Sequence, residues 1–224
     1  MFLFWTFAII TTLHGASGSY NSPKIPRART CQEMFNGTLE DRDGFYWINP
    51  SQGDVDKSIF VYCILKTRET CIYSESTPSE IFDISAVKSE AWLAKNNPNY
   101  QIAYQVNDTN QMRILQEMSK SATQTITYHC KNSIAYYDSI NKNFDKSVKL
   151  LGWNNEEIIP QNLTYLQFMS GFDDCQHKNN SWSYTDITYS TDVPSQLPIT
   201  DIAVRDVGRP GQLIYVDIGP VCFL

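Results

Sequence analysis

His129 precedes Cys130, and His177 follows Cys175 by two positions. Imidazole and thiolate are the usual ligands of zinc, so these four residues could form a Cys/His metal site. The plainer expectation is a Cys130–Cys175 disulfide that brings two histidines near each other. Thiolates are the ligands and disulfides are not, and an oxidising compartment favours the disulfide. A second group is richer in oxygen. Asn49-Pro50-Ser51-Gln52-Gly53-Asp54-Val55-Asp56 crowds five oxygen-bearing side chains around a glycine turn. Calcium takes six to eight oxygen ligands, often from one such loop. Asn49, Ser51, Gln52, Asp54 and Asp56 are therefore the candidate calcium ligands, against a plain Asx/Ser turn as the alternative. The sequence contains neither a G-x-S-x-G elbow nor an H-E-x-x-H zinc helix, so an enzyme is not expected.

These residues need elements to hold them. The chain has 224 residues, 42% hydrophobic, 13% aromatic and 19% charged. That is a globular composition with enough chain for a core. The net charge of −6 disfavours nucleic acid and anionic membrane as partners. Phe2 to Leu13 is an apolar run followed by the small residues Ala16-Ser17-Gly18. Residues 1–18 are expected to be a secretory signal peptide, and residues 19–28 a short flexible basic arm. Secretion puts Cys31, Cys63, Cys71, Cys130, Cys175 and Cys222 in an oxidising compartment. Six cysteines allow 15 pairings, and spacing alone selects none of them. Secretion also gives meaning to four N-glycosylation sequons, at Asn36, Asn107, Asn162 and Asn179.

From Cys31 onward the periods are mixed. Gly44 to Pro50 reads as a strand stopped by a turn. Val55 to Tyr62 starts helical and ends extended, with Ile59 and Val61 on one strand face. Thr109 is placed to cap a helix in which Met112, Leu115, Met118 and Ala122 recur every three or four residues. Ile126/Tyr128, Leu163/Tyr165, Ile187/Tyr189 and Leu213/Tyr215 sit in alternating runs that predict further strands. Gly208-Arg209-Pro210-Gly211 makes a turn before the last of them. The fold class expected is α+β, a single strand-rich, disulfide-stapled domain. Cys222, two residues from the end, reads as its closing staple.

Arg29-Thr30-Cys31, Gly44-Phe45-Tyr46-Trp47-Ile48-Asn49-Pro50-Ser51-Gln52-Gly53, Glu69-Thr70-Cys71-Ile72-Tyr73, Ile126-Thr127-Tyr128-His129-Cys130-Lys131-Asn132-Ser133, Leu197-Pro198-Ile199-Thr200-Asp201 and the ending Asp217 to Leu224 occur in this order. In these residues the chain resembles the C-terminal propeptide domain of fibrillar collagens, over residues 29–224. The resemblance implies a fold similar to fibrinogen-like domains, trimerisation of chains, and calcium at the base of the trimer. It also implies the intrachain disulfides Cys31–Cys63, Cys71–Cys222 and Cys130–Cys175. Several positions depart from the family. Gly37 and Asp54 stand near where family members carry cysteines that link neighbouring chains. Asn49 replaces Asp, Ser51 replaces Asn, and Lys57 takes the place of the last acidic ligand, with Asp56 one residue early. Thr125 replaces the Asn of the family's usual sequon. There is no Gly-X-Y tract in these residues.

The function expected is that of a secreted extracellular-matrix assembly module. Its partners would be copies of itself in a non-covalent trimer, or collagen chains, with calcium as a cofactor. The competing expectation is a monomeric recognition module, similar to fibrinogen-like domains, that binds a glycan or matrix ligand.

Overall fold

The computed structural model describes residues 28–37, 42–53, 55–75, 80–97, 99–106, 108–160 and 167–224. The expected signal peptide, most of the basic arm, Asp54, the sequons at Asn107 and Asn162, and the Leu163/Tyr165 run lie outside the described residues. Strands dominate, and three disulfides cross-link them. No helix among the described residues is long and apolar enough to cross a membrane.

The main sheet runs β1 (Gly44–Ile48), β2 (Ile59–Ile64), β3 (Glu69–Ile72), β12 (Leu213–Phe223), β6 (Ala122–Lys131), β10 (Ser183–Thr191) and β9 (Phe168–Asp173) in spatial order. The short β4 (Phe82–Asp83) also pairs with β12. All these pairings are antiparallel. The alternation seen in the sequence is strictly expressed in β6, where Ala122, Gln124, Ile126, Tyr128 and Cys130 are buried and their neighbours half-buried. One face therefore packs inward and the other looks out. A smaller sheet, β5 (Ala91–Trp92), β11 (Ile199–Val204), β7 (Lys149–Gly152) and β8 (Glu157–Ile158), contributes Leu150, Ile199 and Ile202 to the same core.

The terminal strand β12 lies in the middle of the main sheet, between β3 and β6. It keeps one face inward only by changing phase. Ile214, Val216 and Ile218 point to the core, and so do Val221 and Phe223, because a bulge between Ile218 and Val221 adds one residue. Gly219 sits in that bulge. A Cβ there would meet the Thr125 carbonyl oxygen at 2.4 Å. Backbone cannot yield as a flexible side chain can. Gly219→Ala is therefore expected to cost about 2 kcal/mol, read as a lowered midpoint in urea. Gly171→Ala, with nothing within 4 Å of its added methyl, is the matched control and should leave the midpoint unchanged.

The helices α1 (Cys31–Gly37), α2 (Leu93–Asn96) and α3 (Thr109–Met118) are short. The α3 cap is Asp108, not Thr109: its carboxylate accepts from the Asn110 amide at 2.8 Å. An anionic oxygen satisfies the free N–H groups and the positive end of the helix better than a hydroxyl. The apolar period ends inside the helix, because Ala122 belongs to β6. The α3 core face is Met112 and Leu115, flanked by two buried amides, Gln111 and Gln116. Gln116 donates to the Leu197 carbonyl at 2.7 Å and so ties α3 to the approach to β11. Ala28, the first described residue, is tied to the loop after β1: its carbonyl accepts from the Asn49 amide at 3.0 Å.

Disulfides join Cys31 to Cys63, Cys71 to Cys222 and Cys130 to Cys175. Cys71 and Cys222 lie directly opposite each other on β3 and β12. No free cysteine remains.

Candidate functional site

Asn49 follows β1 directly and is fully buried. Its amide nitrogen donates to the Gly53 carbonyl at 3.0 Å, and its side-chain oxygen accepts from the Ser51 hydroxyl at 3.1 Å. Gln52 adopts a left-handed backbone, φ 54°, and its amide closes a turn onto the Asn49 carbonyl at 3.0 Å. Gln111 of α3 then clamps this loop from outside. Its Oε1 accepts from the Ser51 amide at 3.1 Å, and its Nε2 donates to the Ser51 hydroxyl at 2.7 Å. Gln111 is completely buried, 60 residues away in sequence, and nothing in the local pattern singles it out. The one available signal is a polar residue beside Met112 on a helix that must bury that face.

Asp56 and Lys57 follow in a one-turn 3-10 helix, both exposed. Among the described residues no three His, Cys, Asp or Glu side chains converge on one point. Asn49 and Ser51 supply oxygens of the right kind for a hard cation, but each already serves a hydrogen bond within the loop. Asp56 is the one described carboxylate of the five candidates, and the Lys57 ammonium stands next to it.

The loop joins the edge strand β1 to its neighbour β2, and the outward side of this hairpin is aromatic. Phe45 and Trp47 of β1 are 50% and 57% exposed, and Phe60 of β2 and Tyr73 just past β3 are also exposed. Phe45 stacks on Phe60 with centroids 5.2 Å apart, and Trp47 lies 5.1 Å from Phe60. Tyr62 and Tyr73 close the group from the β3 side, 5.1 and 5.7 Å from Phe45. Five rings linked by these contacts, on the edge hairpin and just past β3, form a larger apolar patch than scattered surface residues make. The outer edge of β1 has no strand partner among the described residues.

The four metal-site candidates near Cys130 do not form a site. Both cysteines are consumed in one disulfide. Alternation along β6 sends the buried Cys130 inward and His129 outward, where Nε2 lies 2.9 Å from Asp217 Oδ2. His177 is exposed in a separate one-turn 3-10 helix. Of the two described sequons, Asn36 lies exposed in α1, where it accepts a hydrogen bond from Arg68. Asn179 is exposed in the loop before β10.

The family profile described as fibrillar collagen C-terminal domain matches residues 8–223. The chain is 38% identical over 224 residues to the collagen alpha-2(I) chain of Oryctolagus cuniculus, covering 96% of this chain and 42% of that one. The collagen alpha-2(I) chain of Rattus norvegicus is 35% identical, with 96% and 16% covered. The collagen alpha-1(II) chain of Xenopus tropicalis is 38% identical over 238 residues, with 97% and 16% covered. The chain thus spans less than half the length of these relatives. A central C-terminal strand stapled through Cys222, an oxygen-rich loop clamped to α3, and a match across nearly all of its residues have one common account: this chain belongs to the fibrillar collagen C-terminal domain family.

Proposed function

We propose that this chain is a secreted extracellular-matrix assembly module that associates with like domains, either copies of itself in a non-covalent trimer or collagen chains. The observation that carries the reading is the five-ring patch on the β1–β2 hairpin. Solvent-exposed aromatic area of this kind gains most when another protein surface covers it. The association is non-covalent because all six cysteines are bonded within the chain. Calcium would act at the adjoining loop through Asn49, Ser51, Gln52, Asp54 and Asp56. By neutralising carboxylates that Lys57 balances only in part, it would fix the loop beside the patch.

The test is the molar mass of the secreted protein by light scattering, in millimolar calcium and in chelator. A mass three times that of the chain in calcium, falling in chelator, is the expected result. A Phe45→Ser, Trp47→Ser double variant should be monomeric in both conditions while remaining folded, its unfolding midpoint lowered only by the loss of the half-exposed ring contacts. A wild-type monomer in both conditions that also ignores an added collagen C-terminal domain would sink the proposal. That result would favour a monomeric recognition module of the fibrinogen-like kind.

A further inference from the structure

A second aromatic strip lies at the opposite end of the same outward face. Tyr184 on β10, His129 on β6 and Tyr215 on β12 are direct cross-strand partners, so their side chains share one face. His129 stacks flat on Tyr215, centroids 4.0 Å apart and planes within 6°. Trp182 meets Tyr215 edge-on at 5.3 Å, and Phe172 of β9 lies 4.6 Å from Tyr184. Phe172, Trp182 and Tyr184 are 41–46% exposed. The neighbouring row is polar: Thr127 donates to Asp186 at 2.7 Å, and Asp217 faces His129. Ring faces next to a row of carboxylates and hydroxyls suit a neutral, polyhydroxylated occupant. The C–H faces of a pyranose meet the electron-rich ring faces, while its hydroxyls donate to the carboxylates. The same carboxylates disfavour an anionic one.

The chain offers such an occupant at the right place. Asn179, in the sequon Asn179-Asn180-Ser181, is three residues before Trp182. Its carbonyl is held to the Asn132 amide at 2.7 Å, and Asn132 lies three residues beyond His129, roughly 10 Å along the strand direction. The attachment point is thus fixed at the end of the strip, within reach of the first few sugars of an N-linked chain. We infer that the Asn179 glycan folds back over Trp182, Tyr215, His129, Tyr184 and Phe172, and that this strip is an intramolecular glycan seat rather than a protein-docking surface.

The experiment uses the protein secreted from eukaryotic cells. Site occupancy at Asn179 is read by peptide mass spectrometry. The rate at which a peptide:N-glycanase releases that glycan is then measured on native and on denatured protein. A seated glycan leaves slowly from the native chain. Trp182→Ala and, separately, Tyr184→Ser should each speed its native release about fivefold, the factor for losing about one aromatic contact, and leave release from denatured protein unchanged. Both side chains are partly exposed, so each variant should stay folded with a small drop in unfolding midpoint, and the second variant serves if the first misfolds. An unmodified Asn179 overturns the inference. So do equal native release rates in all three proteins, and so does a strip in the glycosylated protein that binds added oligosaccharide as readily as the Asn179→Gln variant.

Discussion

Cys71→Ser with Cys222→Ser is expected to lower stability by about 5 kcal/mol, the largest effect of any change to this chain. The bridge closes a separation of 151 residues, and constraining so long a loop removes about that much free energy from the unfolded chain. Separations of 45 and 32 residues for the other two bridges give about 4 kcal/mol each in the same treatment, because the dependence on length is logarithmic. The folded state makes the difference larger. Cys222 holds β12, the strand that pairs with β3, β4 and β6 together. Without the bridge its end is kept by Phe223 in the core and by the Leu224 carbonyl, which accepts from the Lys120 and Ser121 amides. Against a total of 5–15 kcal/mol for a domain, the loss brings the protein close to unfolding. The readouts are secretion yield and the urea midpoint. Changing Cys31 and Cys63 together should leave more stability than changing Cys71 and Cys222. Equal or smaller loss in the latter pair would show that the closure of β12 is not what holds the sheet.

Much of the sheet was legible because alternation is a period-2 signal that burial on one face enforces. The runs around Ile126, Ile187 and Leu213 are strands for that reason. β4, β5 and β8 are two residues each, and a pair of residues carries no period. The bulge at Gly219 was hidden for a related reason: the phase change in β12 looks like a broken pattern until β6 is laid beside it. In Gly44-Phe45-Tyr46-Trp47-Ile48 every residue after the glycine is apolar or aromatic, so the sequence marks a strand but not its face. The structure turns Phe45 and Trp47 out and Ile48 in, and that choice creates the patch on which association is proposed. The loop from Asn49 to Asp56 was visible as an oxygen-rich turn. Its anchor, Gln111, was not, because a buried amide 60 residues away leaves no local trace.

The outward face thereby reads as three zones. The Phe45 group lies at one end and the Tyr184 group at the other. Between them cross-strand pairs of hydroxyls, Thr123 with Ser190 at 3.1 Å and Thr125 with Thr188 at 2.8 Å, make a polar belt. A belt of satisfied hydroxyls gains little from being covered. It separates a surface that suits another protein from one that suits a sugar.

Asp206→Ala is expected to cost about 4 kcal/mol, through charge rather than chain entropy. Asp206 is fully buried just after β11, in the connection to β12. Its carboxylate accepts from both terminal nitrogens of Arg209 at 2.6 Å, from Lys146 at 2.9 Å and from the Ile134 amide at 2.8 Å. Its carbonyl accepts from the buried Gln212 at 2.8 Å. Removing the anion strands the buried Ile134 amide and leaves Arg209, still bonded to the Asn132 carbonyl at 2.8 Å, without its carboxylate, and breaking one side of a buried pair typically costs about 3–5 kcal/mol. Asp206→Asn keeps the shape and one acceptor and should lose less. The same carboxylate sets the acid limit of the fold. Burial alone would push Asp206 up, but Arg209, Lys146 and the Ile134 amide outweigh it and hold the group below the usual carboxylate range. Asp138 is held low in the same way, burial being outweighed by Asn141 and Lys178. A group depressed in the folded state stabilises fully above its unfolded value, about 3.9, and that contribution is lost as pH falls through the folded value. Asp173 and Asp201 are raised by burial and act oppositely, costing stability at neutral pH and returning it as they protonate. Unfolding free energy should therefore rise slightly as Asp173 and Asp201 take up their protons above the ordinary carboxylate value, and fall steeply below about pH 4 as the depressed groups protonate. The Asp206→Asn variant should fall less steeply in the acid range, because it has no proton to take up there. An acid limb of the same slope in the variant would mean that the Asp206 network is not what sets the acid limit.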